Sequence, residues 1–591
     1  MSGGYCSKMA NILLTPVLIR RFKALEEEVG GSIFDQKEPL GPNYGLYRIK
    51  FFLESFGHTA DVLDLNLQRK PYEEIVRVVG QGDYDIIGSS TDHLNLENNL
   101  FLSHLVKREF PDIPFIYGGI QATFDPKTVA YGSKADLIAI GEGEYPILDV
   151  LDRIDLLKSQ GKHPAVSIQH HFDDIKGLYL IPRDKMTRSP SEEEITDMIT
   201  FTGFRPQLTK EQLVAIEQLF DFGQVPYEEY WQKMGLYHGH KSRMVNFIAT
   251  NYCPGGCSFC SSTNFLAQAQ GKKGAKMHST SADMIFETIY GKKGIIQSIP
   301  GVSKIGWQDD NAIYGHGPQK RMQEFCQRVI DEIPLEERVN ILCLSRINNV
   351  DLELLKLMNR AGITQIGYGV ENFSTAGHKG LNKNINQKQV WTTLAYTFLA
   401  GQQTQEERSS LVDGRQYEHI DPLKPWVNVI IGTPHIDIDG IMTNIAAFDQ
   451  VWSRGGKVAC YPFILGLAGS RFAQAQPYCS DMQIGKYEIG DTGISIEKGD
   501  RLKIYDTSAE DLILGAVQRS KDVGHKIYEM TGHKALPSEV VAAGYTIALL
   551  EEAKERGIDL ERFRTSYAKA ARKDPFDVQK HYDLVKNMLG K

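Results

Sequence analysis

The first 150 residues alternate short apolar runs with amphipathic stretches. Apolar runs between polar residues predict strands over 10–14, 61–65, 85–88, 115–117 and 137–140. Apolar positions at helical spacing predict helices over 46–56 (stopped at Gly57), 72–79 and 96–109. Strand and helix alternating about every 25–30 residues predict a parallel doubly wound sheet, in which ligands bind beyond the carboxyl ends of the strands. Those ends carry Gly88-Ser89-Ser90-Thr91, Gly118-Gly119-Ile120-Gln121-Ala122-Thr123 and Gly141-Glu142-Gly143-Glu144. Glycine lets a ligand approach the backbone, and the hydroxyls offer hydrogen bonds. Residues 1–150 are expected to be a binding domain.

Residues 151–240 are less regular and rich in charge, and are expected to be a connector with some helix. From Met244 a second series begins, with strands predicted over 245–249, 304–308, 340–344, 365–369, 427–431 and 458–465. Helices fit over 282–290, 319–333, 351–361, 387–399 and 441–452. Such a series predicts a partial or full (β/α) barrel over 241–480. The polar run from Gln402 to Pro422 is expected to be an insertion that shapes a cleft. Beyond 480 the strand signal fades, and helices predicted over 508–531 and 538–556, the latter stopped at Gly557, make 481–591 a helical C-terminal region. The fold class is α/β throughout the two main domains.

Composition removes several alternatives. The chain is 42% hydrophobic and 24% charged, ordinary for a folded protein, which excludes a disordered or coiled-coil chain. A net charge of −8 with no basic arm gives nucleic-acid binding no electrostatic support. No apolar run approaches the roughly 18 residues of a membrane span. The opening MSGGYCSKMANILL lacks the pattern of a secretion signal. Eight cysteines are too sparse for a disulfide scaffold, yet three of them fall within eight residues.

Cys253-Pro254-Gly255-Gly256-Cys257-Ser258-Phe259-Cys260 follows directly after a predicted strand. Three thiolates on one short loop suit three irons of a 4Fe–4S cluster. The next cysteine is the distant Cys326, so one iron stays open to an outside ligand. A zinc site ordinarily brings a fourth ligand at short spacing, and buried structural cysteines do not account for the Pro-Gly-Gly loop. Here the chain resembles the radical S-adenosylmethionine (SAM) enzymes, whose hallmark is this spacing after the first barrel strand. The resemblance implies that Cys253, Cys257 and Cys260 are cluster ligands and that Phe259 lies beside the adenine of SAM. Asp309, Asp310 or Asn311, ending the second strand without the family's GGE, would contact the SAM amino group. Ser345 or Arg346 would reach its ribose or carboxylate. Glu371 ends a polar fourth strand, and Gly432 belongs to the Gly-x-Pro turn after the fifth.

The first domain has neither a GxGxxG after its first strand nor a P-loop. It resembles the cobalamin-binding domain that precedes many radical SAM enzymes. By that resemblance Ser89, Ser90, Thr91, Gly118, Gly119, Thr123, Gly141, Glu142 and Gly143 lie around the corrin and its nucleotide tail. The DxHxxG of histidine-ligated cobalamin proteins is absent. His93 is a lone candidate for cobalt, although lone loop histidines are more often simply hydrogen-bonded.

The combined resemblance implies a cobalamin-dependent radical SAM methyltransferase. In that family one SAM methylates cob(I)alamin, and a second is cleaved to a deoxyadenosyl radical that removes hydrogen from an unactivated carbon. The substrate radical then takes the methyl group. A peptide or protein side chain is the expected substrate, for example glutamine C-methylation in methyl-coenzyme M reductase. A small natural product, or a cyclisation or rearrangement without methyl transfer, is the alternative. Tyr314 and Tyr368 are the candidates for hydrogen handling. A flavodoxin- or ferredoxin-type donor and the cytoplasm of an anaerobic or microaerobic cell are expected.

Overall fold

The computed structural model describes residues 9–16 and most of 41–461, apart from 69, 93–95, 164–167, 183–191, 239–242, 272–274, 314–315, 348–349, 380, 412–419, 431–432, 434 and 453. Beyond 461 it describes 478–481, 486–488, 495–497, 503–505, 552 and 555–557.

The first sheet has seven strands in the order β2-β1-β3-β4-β5-β6-β7. Its first five are β1 (Asn11–Thr15), β2 (Thr59–Val62), β3 (Ile86–Thr91), β4 (Phe115–Gly119) and β5 (Leu137–Ala139). All their pairings are parallel, and the order 2-1-3-4-5 reverses between β1 and β3. Helices cover both faces: α1 (Tyr44–Ser55), α2 (Pro71–Gln81), α3 (Leu96–Glu109), α4 (Ile120–Phe124), α5 (Pro126–Gly132) and α6 (Glu144–Ser159). Along β1, Ile12 and Leu14 enter one buried cluster with Phe52 and Ile116, while Leu13 enters the other with Phe115 and Tyr117. Two covered faces explain why these strands read as continuous apolar runs. The helix boundaries follow local chemistry. Asn43 caps α1 by accepting from the Leu46 amide, and Pro71 opens α2 with Glu73 and Glu74 in its first turn.

The expected boundary at 150 falls inside α6, and the segment after it extends the sheet. β6 (Leu178–Leu180) and β7 (Thr200–Phe201) add antiparallel to β5. They are too short to leave a period in the sequence. Next come α7 (Lys210–Gln218), started by a Thr209–Gln212 capping box, and α8 (Tyr227–His238). Phe220, Phe222, Tyr227 and Trp231 from this segment join Tyr47 and Phe51 of α1 in the core of the second domain. Tyr44 stacks on Phe220 at 4.3 Å.

The second sheet has six parallel strands in sequential order: β8 (Met244–Phe247), β9 (Lys304–Trp307), β10 (Asn340–Arg346), β11 (Ile363–Glu371), β12 (Lys424–Ile430) and β13 (Lys457–Tyr461). Helices α9 (Ser262–Ala269), α10 (Ala282–Tyr290), α11 (His316–Glu332), α12 (Leu352–Arg360), α13 (Gln387–Leu411) and α14 (Ile438–Trp452) alternate with them. This is the expected partial barrel. Cys326 and Cys343 are fully buried in its hydrophobic core.

Two expectations change. The run Gln402–Arg408 is not an inserted loop but the last part of the 25-residue α13. Thr404 and Arg408, one turn apart, face Asn359 of α12, while Gln402 and Glu406 bond to each other on the outside. The tract has no apolar residue, and it continues the helix because Thr404 and Arg408 find a polar partner on α12. The remainder of that run, 412–419, lies outside the described residues. Past 480, β14 (Tyr478–Asp481) pairs with β17 (Lys503–Tyr505), and β15 (Lys486–Glu488) with β16 (Ser495–Glu497), where no strand was expected. The helix expected over 508–531 lies outside the described residues, as does most of 538–556. No described helix is long and apolar enough to cross a membrane.

Candidate functional site

The loop between β8 and α9 carries Cys253, Cys257 and Cys260, all free, with Cys257 buried and the others half-buried. Neighbouring strand ends fix both sides of this loop. On the incoming side Asp309, fully buried beyond β9, accepts from the Ala249 amide (2.6 Å), the Thr250 amide (2.9 Å) and the Thr250 hydroxyl (2.6 Å). Its second oxygen also meets the Arg321 guanidinium of α11 at 3.1 Å. Asp309 is thus a structural anchor with its acceptors engaged, not a group held ready for the SAM amine.

On the far side the segment after β11 clasps the loop. The Ser258 amide donates to the Leu381 carbonyl (3.1 Å), and the Asn382 amide side chain donates to the Gly256 carbonyl (2.9 Å). Lys383, buried, pairs with the Glu371 carboxylate, donates to the Gly369 carbonyl (2.8 Å) and sits 5.8 Å above the Phe259 ring. Three non-glycine residues here hold positive φ: Glu371 at 63°, Asn382 at 52° and Asn384 at 51°. Asparagine tolerates that region, whereas Glu371 is held there against a cost of roughly 1–2 kcal/mol.

Arg346, at the end of β10, donates to the Gly255 carbonyl (3.1 Å), to the Cys257 sulfur (3.9 Å) and to the Lys383 carbonyl. Its own amide and the Ser345 hydroxyl both donate to the Asn311 side-chain oxygen, at 3.3 and 3.4 Å. Asn311, Ser345 and Arg346 therefore meet at these strand ends, Glu371 is linked to them through Lys383, and Arg346 faces the cysteine loop. Asp310 is exposed. Its carboxyl is held above the ordinary value, first by the protein crowded around it and next by Asp309.

The residues fit a cluster. A Cβ on Gly255 would lie 2.9 Å from the Arg346 guanidinium, 3.3 Å from the Cys253 sulfur and 3.8 Å from the Cys257 sulfur, so only glycine leaves the thiols room. Burial pushes all three thiols up, Cys253 to about 11, and iron binding would reverse this by deprotonating them. Among the described residues no three His, Cys, Asp or Glu side chains are arranged around a single ion. A cubane does not require that, because each thiolate takes its own iron.

In the first domain the threonine hydroxyls serve the strand ends themselves. Thr91 donates to the Gly118 carbonyl (2.8 Å) and accepts from the Ala122 amide (3.1 Å). Thr123 donates to the Gly119 carbonyl (2.9 Å) and accepts from the Gly141 amide (2.9 Å). Gly119, at φ 96°, has no room for a Cβ against Ser90 and Thr91, whereas a Cβ on Gly118 would meet nothing nearer than 3.9 Å. Ser89 is buried, Ser90 is half-buried and Ile120 is 47% exposed. Together they leave an open ledge with apolar surface at the strand ends.

Glu142 departs from the expected cofactor contact. It accepts from the Leu208 amide (2.9 Å) and, at the long limit of 3.5 Å, from Asn251, two residues before Cys253. Gly143 packs against Ile49. Tyr368 is corrected as well. Fully buried, its hydroxyl meets that of Thr397 on α13 at 3.0 Å, so it lies on the helix-facing side of β11, opposite Gly369 and Glu371. Tyr314, His93 and Gly432 lie outside the described residues. Sequence reasoning missed Lys383, Arg321 and Asn251. No spacing marks them, since each acts through contacts between distant segments.

Residues 35–151 match the family described as a B12 binding domain. Among solved structures, the cobalamin-dependent SAM radical enzyme OxsB, with aqua-cobalamin and SAM bound, overlays 99% of this chain and 80% of its own at TM-score 0.62 and 13% identity. The radical SAM methyltransferase TsrM of Kitasatospora setae, with cobalamin and a 4Fe–4S cluster bound, overlays 78% of this chain and 74% of its own at TM-score 0.52 and 13% identity. At such identity these matches establish the fold alone, the one this chain shares with OxsB and TsrM. A UPF0313 protein of Thermotoga neapolitana is 23% identical over 197 residues, 27% of this chain. The chain spans about a third (35%) of the length of that curated relative.

Proposed function

We propose that this chain is a cobalamin-dependent radical SAM methyltransferase that moves a methyl group to an unactivated carbon, with a peptide or protein side chain as substrate. The observation that carries the reading is the cysteine loop. Cys253 and Cys257 flank Gly255, Cys260 follows on the same loop, and that loop is clamped between Asp309 and the 381–383 segment beside a B12 binding domain. Cys253, Cys257 and Cys260 would hold the cluster, Phe259 and Asn311 would border SAM, and the ledge at Ser90, Gly118 and Gly119 would take the corrin. When bound, these groups supply one-electron cleavage of SAM and a methyl carrier. The chain's own residues orient them. Asp309 and Arg321 fix the start of the loop, and the segment that carries Lys383, paired with Glu371, clasps its far side. A flavodoxin- or ferredoxin-type donor would supply the electrons.

The test is anaerobic turnover of cluster-reconstituted protein with hydroxocobalamin, SAM, a reductant and glutamine-containing peptides. Mass spectrometry should find 5′-deoxyadenosine and S-adenosylhomocysteine in near-equal amounts and a peptide heavier by one methylene. A second reading, a radical cyclisation or rearrangement without methyl transfer, starts from the same cysteine loop and the same deoxyadenosyl radical. Deoxyadenosine without S-adenosylhomocysteine would select it.

A further inference from the structure

Arg346 is 8% exposed, and both terminal nitrogens of its guanidinium bond to the cysteine loop or its clasp. One terminal nitrogen donates to the Gly255 carbonyl and to the Cys257 sulfur, and the other donates to the Lys383 carbonyl. Its backbone is held by Asn311 of the neighbouring strand end. The missing Cβ of Gly255 is what admits the guanidinium, since a side-chain carbon there would lie 2.9 Å from it. A planar fork can bridge two carbonyls and a sulfur at once, which an ammonium cannot. Reduction adds negative charge to the irons and their sulfur ligands. A donor to a ligand sulfur therefore stabilises the reduced cluster more than the oxidised one.

We propose that Arg346 is a positioning residue that seats the cysteine loop and, through its N–H···Sγ bond to Cys257, raises the reduction potential of the cluster carried there. The inference rests on the iron–sulfur reading above and adds the residue that decides how readily the cluster accepts its electron. Phe259, beneath Lys383, belongs to the same unit, because the Lys383 carbonyl bonds Arg346 while its ammonium is held by Glu371 and Gly369.

The test compares wild type, Arg346→Gln, Arg346→Lys and the control Arg454→Gln, which removes an exposed arginine that bonds Gln450 away from the cysteine loop. Each is reconstituted with iron and sulfide, without SAM. Iron and sulfide per chain are measured, and the cluster is titrated with dithionite and mediators under electron paramagnetic resonance. Loaded Arg346→Gln is expected to show at least a tenfold lower ratio of reduced to oxidised cluster at a fixed potential, about 59 mV for a one-electron couple. Arg346→Lys, whose ammonium cannot span the three acceptors, should fall at least threefold. Arg454→Gln should stay within threefold of wild type. Loaded Arg346→Gln with the wild-type ratio overturns the proposal, as does an equal fall in Arg454→Gln. If Arg346→Gln holds no iron, Arg346→Lys decides, and an unchanged ratio there overturns it. A wild-type chain that takes up no 4Fe–4S cluster would instead sink the functional reading itself, and this proposal with it.

Discussion

Gly141, just past β5, and Ala269, the last residue of α9, approach so closely that a Cβ on the glycine would lie 2.5 Å from the Ala269 Cβ. Gly141 also holds φ 78°. The contact joins the last parallel strand end of the B12 binding domain to the helix that follows the cysteine loop. Phe124 and Phe265 flank it, with ring centres 6.1 Å apart.

Gly141→Ala should therefore cost about 2–4 kcal/mol, combining left-handed backbone strain with overpacking of the joint. Gly161, at φ 68° with nothing within 4 Å of its Cβ position, is the control. Gly161→Ala should cost only the strain, about 1 kcal/mol. Denaturant unfolding of the two variants measures the difference, and equal losses would show that the joint is not tight.

Asp309 carries the fixed start of the cysteine loop. Asp309→Ala strands two buried amides and the Arg321 guanidinium, at about 3–5 kcal/mol. Thermal unfolding should register that loss, and iron uptake after reconstitution should fall with it. Full iron content in a destabilised variant would separate the anchor from the loop.

Tyr368→Phe removes one buried hydroxyl contact with Thr397, a loss of about 1 kcal/mol. Because the ring faces α13, product formation by the loaded enzyme should match wild type. A tenfold fall with full iron would return Tyr368 to the chemistry.

Burial is the main cause that holds the Glu142 and Glu217 carboxyls above the ordinary carboxylate value, with Glu144 adding to both. The folded state then binds more protons than the unfolded one, so this contribution to stability is full at low pH. It is lost as pH rises from the ordinary carboxylate value through the raised ones. Melting temperatures of the apoprotein between about pH 5 and about pH 8 should fall with a slope that Glu142→Gln reduces. An identical slope in that variant would remove Glu142 as its source.

Most strands of both domains were legible as apolar runs and the longer expected helices by their period, whereas α4, α5, α6 and α9 were not expected. Leu96–Glu109 and Ala282–Tyr290 coincide with their expected ranges. β6 and β7, of three and two residues, carry no period, and their pairing to β5 is a tertiary choice. The cysteine triplet was legible as spacing. What holds it was not, because Asp309, Arg346 and Lys383 lie from about 50 to 130 residues away and only the folded barrel brings them together. Glu142 and Tyr368 were misplaced for the same reason. A polar residue at a strand end or on a strand gives no sign in the sequence of whether a ligand or another side chain will occupy it.

The partners of Asp309 also impose an order on maturation. The carboxylate that shapes the loop's beginning comes from the end of β9, sixty positions after Ala249. The guanidinium that shapes its middle comes from β10, and the clasp from beyond β11. While the chain is still emerging from the ribosome, the three thiols are synthesised long before their surroundings exist. The seat that this loop would offer a metal group is therefore complete only after residue 383 has been made. A scaffold protein handing over iron would meet a barrel closed through at least its fourth strand, rather than a nascent cysteine peptide.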